Sequence, residues 1–273
     1  MKSTYARAMK GIRISEGGYV NHPRDPGGAT NYGITQAVYD DFRKRKGMSQ
    51  QSVRLISEAE VNEIYKTQYA DKVRYDELPA GIDYATLDGA VNSGVSRGAK
   101  WLQAALGVSS DGKIGSQTIS AAAKADAIAT VKSMCAKRMS FLRGLSIFST
   151  FGKGWTSRVA RVEAESVSMA MEARGISKAS LPIALNTESR RASEDSAVAK
   201  GGATASATGA AGGATGTTAA SGGDWSNLAG VESILLIGAT VGLIVLAVYL
   251  INRSRVQRER AAAYAAVAAG VSA

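Results

Sequence analysis

The sequence predicts a mainly α-helical fold with one small β-hairpin, then a flexible linker and a single transmembrane helix. Three observations carry this. Apolar residues recur at three- and four-residue spacing through most of the first 175 residues, the pattern of amphipathic helices. From about Asn186 to Gly223 the chain becomes Ala, Gly, Ser and Thr with hardly any large apolar side chain, too little to offset the entropy of ordering. Ser233 to Ile251 is an uncharged apolar run, close to the ~20 residues that span a bilayer as a helix.

The first helix is expected over Ser3–Ser15, with Ser3 or Thr4 as its N-cap and Tyr5, Ala8, Met9 and Ile12 on one face. One further turn of that stripe lands on Glu16, and Gly17 and Gly18 end the helix. Strand signal is thin. Only Tyr19–Ile34 suits a hairpin, with turn residues Pro23, Pro26, Gly27 and Gly28 and β-favouring Tyr19, Val20, Tyr32 and Ile34. Helices are then expected over Thr35–Lys46, Ser57–Gln68, Ile82–Asn92, Arg97–Leu106, Ile114–Lys124, Asp126–Leu142 and Thr156–Ala173.

Glu16 and Asp25 therefore stand on either side of a glycine-rich connection. At a half-buried helix C-terminus, desolvation and the helix dipole both favour a protonated carboxyl, the form a general acid needs. Asp25 lies in Asp-Pro-Gly-Gly, which is turn chemistry by itself; facing the end of the Glu16 helix, it also suits a second carboxylate. Glycosidases of the inverting type hold two such groups ~6.5–9.5 Å apart to admit a water. The Thr30 hydroxyl could hold that water or simply pack in the hairpin, and Asn31 could take the same role. Tyr19 and Tyr32 could stack on sugar rings or form the hairpin's own core.

Glu16-Gly-Gly-Tyr19 followed by Asp25-Pro-Gly-Gly-Ala-Thr-Asn-Tyr-Gly-Ile-Thr35 resembles the signature of glycoside hydrolase family 108, peptidoglycan N-acetylmuramidases common in bacteriophages and prophages. Ala90–Gly107, Asp111–Thr118 and Phe151–Thr156 resemble the predicted peptidoglycan-binding module that usually follows that domain. Together the resemblances cover roughly residues 5 to 172. They imply a lysozyme-like fold and cleavage of the β-1,4 bond between N-acetylmuramic acid and N-acetylglucosamine. Glu16 would be the acid, Asp25 and Thr30 would assist water, and Tyr19, Asn31 and Tyr32 would bind substrate. A lytic transglycosylase, or a non-catalytic wall-binding or virion scaffold, are the alternatives. By the residues alone, Asp111–Thr118 reads as a tight turn entering a helix, and Phe148, Phe151 and Trp155 read as core closure rather than a ligand platform.

The net charge of +10 suits attraction to anionic wall polymer or membrane as well as ordinary surface solvation; its scattered basic residues do not form the aromatic-interleaved clusters of a nucleic-acid interface. No metal-ligand spacing occurs, no cofactor is implied, and the single cysteine, Cys135, sits in a helical pattern as a small apolar residue. Expected partners are peptidoglycan and, through residues 231–252, a membrane; no protein partner is indicated.

The expected organisation is a muramidase domain at 1–90, a peptidoglycan-binding helical module at 91–175, a flexible linker at 176–230, a transmembrane helix at 231–252 and a basic, then Ala-rich tail at 253–273. Arg253, Arg255, Arg258 and Arg260 flank one end of the apolar run, while Asp224 and Glu232 flank the other. The positive-inside rule then places the tail in the cytoplasm and the enzyme in the periplasm, or in the membrane-associated part of a virion. Met1–Gly18 lacks the apolar core of a signal peptide, so export needs another route.

Overall fold

The computed structural model describes the backbone of residues 3–21, 28–219 and 231–272. It divides into two compact units, Met1–Leu181 and Pro182–Ala273. In the first, helices α1 (Thr4–Glu16), α2 (Gln36–Arg45), α3 (Glu58–Tyr65), α4 (Ile82–Ser93), α5 (Val95–Leu106), α6 (Ser116–Lys124), α7 (Ala127–Arg143) and α8 (Phe148–Ala173) accompany a hairpin of β1 (Thr30–Asn31) and β2 (Ile34–Thr35). The mainly helical class with one small hairpin is as the sequence predicts.

The centre of this unit is α4, buried on every side from Ile82 to Ala90. A helix without a polar face needs neighbours all round, and α1, α5, α7 and α8 supply them. Small residues let them close in. A Cβ on Gly98 of α5 would fall 2.7 Å from the Ala90 nitrogen, and one on Gly11 of α1 would strike the Tyr84 hydroxyl. The boundary expected near residue 90 thus lies inside the central helix, and the segments on either side of it share one core.

Local signals explain most ends. Thr35 caps α2 by accepting from the Val38 amide, and Ser57 with Glu60 forms a full capping box on α3. At α1 the outcome differs from a simple cap: Ser3 makes no capping bond, and the Thr4 hydroxyl instead donates to Asp83 Oδ2 at 2.7 Å, tying α1 to the start of α4. After Tyr65, α3 widens into a π-turn over Lys66–Ala70. Helix α8 begins at Phe148, two turns before the expected Thr156.

The second unit departs most from expectation. Residues 181–219, read as flexible linker, form helix α9 (Leu181–Ala219), which runs antiparallel to α10 (Val231–Ser272). Buried Ala192, Ser196, Ala199, Ala203, Ser206 and Ala210 recur at spacings of four and three on α9, and Ala247, Ser254, Ala261 and Ala268 recur every seven on α10. This is coiled-coil periodicity built from small side chains. Poor intrinsic helix formers are held here by close backbone approach and by the bonds from Ser189 to the Ala261 carbonyl (2.8 Å) and Ser196 to the Ser254 carbonyl (3.0 Å). α10 is long and apolar enough to cross a membrane.

Candidate active site

Glu16 is the last residue of α1, placed there by the stripe of Tyr5, Ala8, Met9 and Ile12, all buried. Gly17 at φ +77° ends the helix. The carboxylate faces the tip of the hairpin. There Tyr32 (φ +50°) and Gly33 (φ +74°) make a two-residue turn with positive φ at both positions, the type that matches the twist of paired strands. A Cβ on Gly33 would lie 3.0 Å from Glu16 Oε2 and 2.8 Å from the Tyr65 hydroxyl, so only glycine leaves room for the acid. Tyr65 donates to the Tyr32 carbonyl at 2.7 Å, fixing the turn over the site.

Tyr65 stacks on Tyr69 across the π-turn, centroids 5.6 Å apart. Burial pushes both hydroxyls up from their ordinary pKa, and the Glu16 charge pushes them further. They stay protonated donors.

Beneath the carboxylate lies an ion-pair chain that sequence reasoning missed. Arg158 of α8 donates from Nη1 to Glu16 Oε1 at 2.8 Å, and its Nε and Nη2 grip the fully buried Asp88 of α4 at 3.1 and 3.0 Å. Arg138 of α7 bonds the same Asp88 at 2.7 Å and Asn92 at 3.0 Å. Burial alone would raise the Asp88 pKa, but Arg138 and then Arg158 outweigh it and hold the carboxyl below its usual range. Burial likewise opposes the Arg158 charge, and Asp88 followed by Glu16 drives its pKa up. Glu16 is thus gripped by a guanidinium that is itself locked.

Of the other expected site residues, Thr30 bridges to Val20 and donates its hydroxyl to the Gly28 carbonyl at 3.3 Å. Asn31 is buried, and its amide nitrogen bonds the Val53 carbonyl at 3.2 Å, which fastens the hairpin to the turn at Val53–Leu55. Tyr19 is half-exposed beneath the Arg54 guanidinium, 5.4 Å from its ring centroid, and Tyr32 is partly exposed at the turn. Asp25 lies outside the described residues.

Along α8, next to Arg158, runs a groove of about 420 Å³ lined by Ser15, Asn92, Phe151, Trp155, Arg158 and Arg161. Phe151 is 53% exposed and stacks on Trp155 at 5.8 Å. These rings border an open groove rather than closing the core. The Asp111–Thr118 turn, in contrast, is organised from within: buried Gln103 donates to Asp111 at 2.7 Å and accepts from the Gly112 amide at 2.9 Å. Among the described residues no cluster of side chains suits a metal ion.

A carboxyl at a helix end, bound by an arginine that lines an aromatic-bordered groove, is an arrangement fit for acid catalysis on a polymer. Comparison with known proteins agrees. Residues 9–94 match the family described as Glycosyl hydrolase 108, and residues 97–160 match a Predicted Peptidoglycan domain. The solved structure of Brucella abortus SagA is similar at 44% identity and TM-score 0.53, over 62% of this chain and 97% of that one. No functionally curated protein matches. The chain therefore belongs to the glycosyl hydrolase 108 family, as a glycoside hydrolase directed at peptidoglycan.

Proposed function

We propose that this protein is an N-acetylmuramidase that is anchored to a membrane through α10. The observation that carries the reading is Glu16: a carboxyl group at the end of α1, fixed between the Gly33 turn and Arg158, whose guanidinium also lines the groove. Glu16, after taking up a proton from solvent, gives it to the glycosidic oxygen as the bond to N-acetylmuramic acid breaks. Water adds to the anomeric carbon, and its proton passes to Asp25, with Thr30 helping to orient it. Before that step the Glu16–Arg158 bond must loosen. Substrate entering the groove supplies the cause, since Arg158 retains Asp88 when it releases Glu16. Tyr19, Tyr32 and the Phe151–Trp155 pair offer apolar faces to the sugar rings.

The test is digestion of purified peptidoglycan followed by mass analysis of the fragments. Reducing muramic acid ends are expected, and Glu16→Gln should lower turnover by ~10²-fold or more, the usual worth of a general acid. Fragments ending in 1,6-anhydro-muramic acid would replace hydrolysis by transglycosylation. Unimpaired cleavage by Glu16→Gln would remove Glu16 from the chemistry.

A further inference from the structure

The second unit specifies more than an anchor. On α9 the last charged residue is Lys200, and 201–219 contains none; on α10 the stretch from Ser233 to Asn252 is likewise uncharged, and Arg253 follows. The helices are antiparallel and in register at this transition. Ser196 faces Ser254, Gly202 lies against Leu250 and Gly209 against Leu243, where added Cβ atoms would come within 3.1 and 3.3 Å of the leucine side chains. The uncharged halves therefore lie side by side, and the charged halves lie side by side. At ~1.5 Å per residue the α9 stretch is about 28 Å long, matching a hydrocarbon core of ~30 Å.

Two further features fit lipid. Thr204, Ser206 and Thr208 each donate their hydroxyl to the carbonyl four residues back, so these three hydroxyls are satisfied within the helix, as a bilayer requires. On α10, Val241, Ile244, Val245, Val248 and Tyr249 remain more than half exposed although α9 covers the opposite face. A single-pass arrangement would leave α9 in water beyond the membrane and could not keep these contacts.

We infer that α9 and α10 enter the membrane together as a helical hairpin, with acyl chains covering the exposed face of α10 and both ends of the hairpin on the same side. Arg190, Arg191 and Lys200 on α9 join Arg253, Arg255, Arg258 and Arg260 on α10 at that side, while residues 220–230 hold Asp224 and no base. The positive-inside rule makes the basic side cytoplasmic. The catalytic unit then stays on the cytoplasmic face, separated from the wall until the membrane is breached, in place of the opposite-face topology expected from α10 alone.

This inference rests on the membrane reading of α10, and one experiment separates the two. In the full chain with Cys135→Ala, single cysteines Ser177→Cys, Ser226→Cys and Ala269→Cys are treated with an impermeant maleimide in spheroplasts, with carbonate extraction in parallel. The expected result is a carbonate-resistant chain whose Ser226→Cys labels in intact spheroplasts, while Ser177→Cys and Ala269→Cys label at least tenfold more after lysis. A carbonate-resistant chain with Ser177→Cys and Ala269→Cys on opposite faces would overturn the hairpin and leave the anchor. Labelling of Ser177→Cys and Ala269→Cys from outside, with Ser226→Cys protected, would overturn the sidedness. Release by carbonate would overturn both.

Discussion

The two units of this chain solve the burial problem with opposite materials. The first places large side chains and charges in its core: Tyr39, Tyr75, Tyr84 and Leu87 are fully buried, and so is Asp88, paired with the buried Arg138 and the partly buried Arg158. The second lines most of its helix–helix seam with alanine and serine, with Leu185 and Tyr264 also buried, brings backbones together and leaves Val241, Ile244, Val245, Val248 and Tyr249 exposed. A core of fixed charges and rings can hold one carboxylate in one orientation. A seam of small residues holds two helices together while giving its large surface to another medium. The difference teaches that a charged, ring-filled core sets the first unit apart, whereas close helix pairing and exposed apolar side chains set the second apart.

The sharpest way to break that contrast is Asp88→Ala. It strands Arg138 and Arg158 in the core, and removing one member of a buried ion pair costs ~3–5 kcal/mol. Urea unfolding of the chain should show the loss in the first unit alone. The same group sets an acid limit. Its folded pKa lies below its unfolded value, so the stability it gives is fully present above the unfolded pKa of about 3.9 and disappears as pH falls through the folded one. The stability gap between wild type and Asp88→Asn should accordingly narrow below about pH 4; a gap independent of pH would contradict a charged Asp88.

Next comes Arg158→Lys. One ammonium cannot reproduce a planar fork that spans two carboxylates, so we expect kcat to fall ~10-fold or more with KM little changed, because the defect lies in the placement of Glu16. Equal kcat with a raised KM would make Arg158 a substrate-binding group instead. In the other unit, Ala203→Leu forces bulk into the small-residue seam, at ~1–3 kcal/mol. Proteolysis within 190–210 should accelerate while hydrolysis of purified peptidoglycan stays at the wild-type rate; a loss of activity would couple the units. The smallest effect belongs to Phe151→Ala. Removing one exposed ring from the groove should raise KM about 3- to 5-fold, consistent with ~0.5–1.5 kcal/mol for an aromatic contact, and an unchanged KM would remove this ring from substrate binding.

What was legible in the sequence follows the same divide. Glu16 could be placed because its neighbours on α1 are local: the Tyr5, Ala8, Met9 and Ile12 stripe and the glycines after it fix its position without any tertiary information. Arg158 could not, since it lies 142 positions away and reaches Glu16 only when α8 folds back along α1. Tyr65 and Tyr69 share a face in any helix, but nothing local shows that this face meets the Tyr32–Gly33 turn and Glu16. Asn31 shows a residue of the right type committed to holding the hairpin. For α9, composition argued for coil, and the signal that overrides it was present: Ala192, Ser196, Ala199, Ala203, Ser206 and Ala210 keep a 3.5-residue repeat. Periodicity of small residues is easily passed over because hydropathy barely registers it.

Arg158 also bears on how such enzymes can be recombined. The two matched segments, 9–94 and 97–160, look like interchangeable parts on a string, yet Glu16 and the buried Asp88 of the first are both held by the Arg158 guanidinium of the second. Cutting between residues 94 and 97 would separate Glu16 from its guanidinium partner and open α4 to water on the faces covered by α5, α7 and α8. A chimera that exchanges the second segment is expected to need an arginine at the same place, since the Glu16–Arg158 bond crosses from one segment to the other.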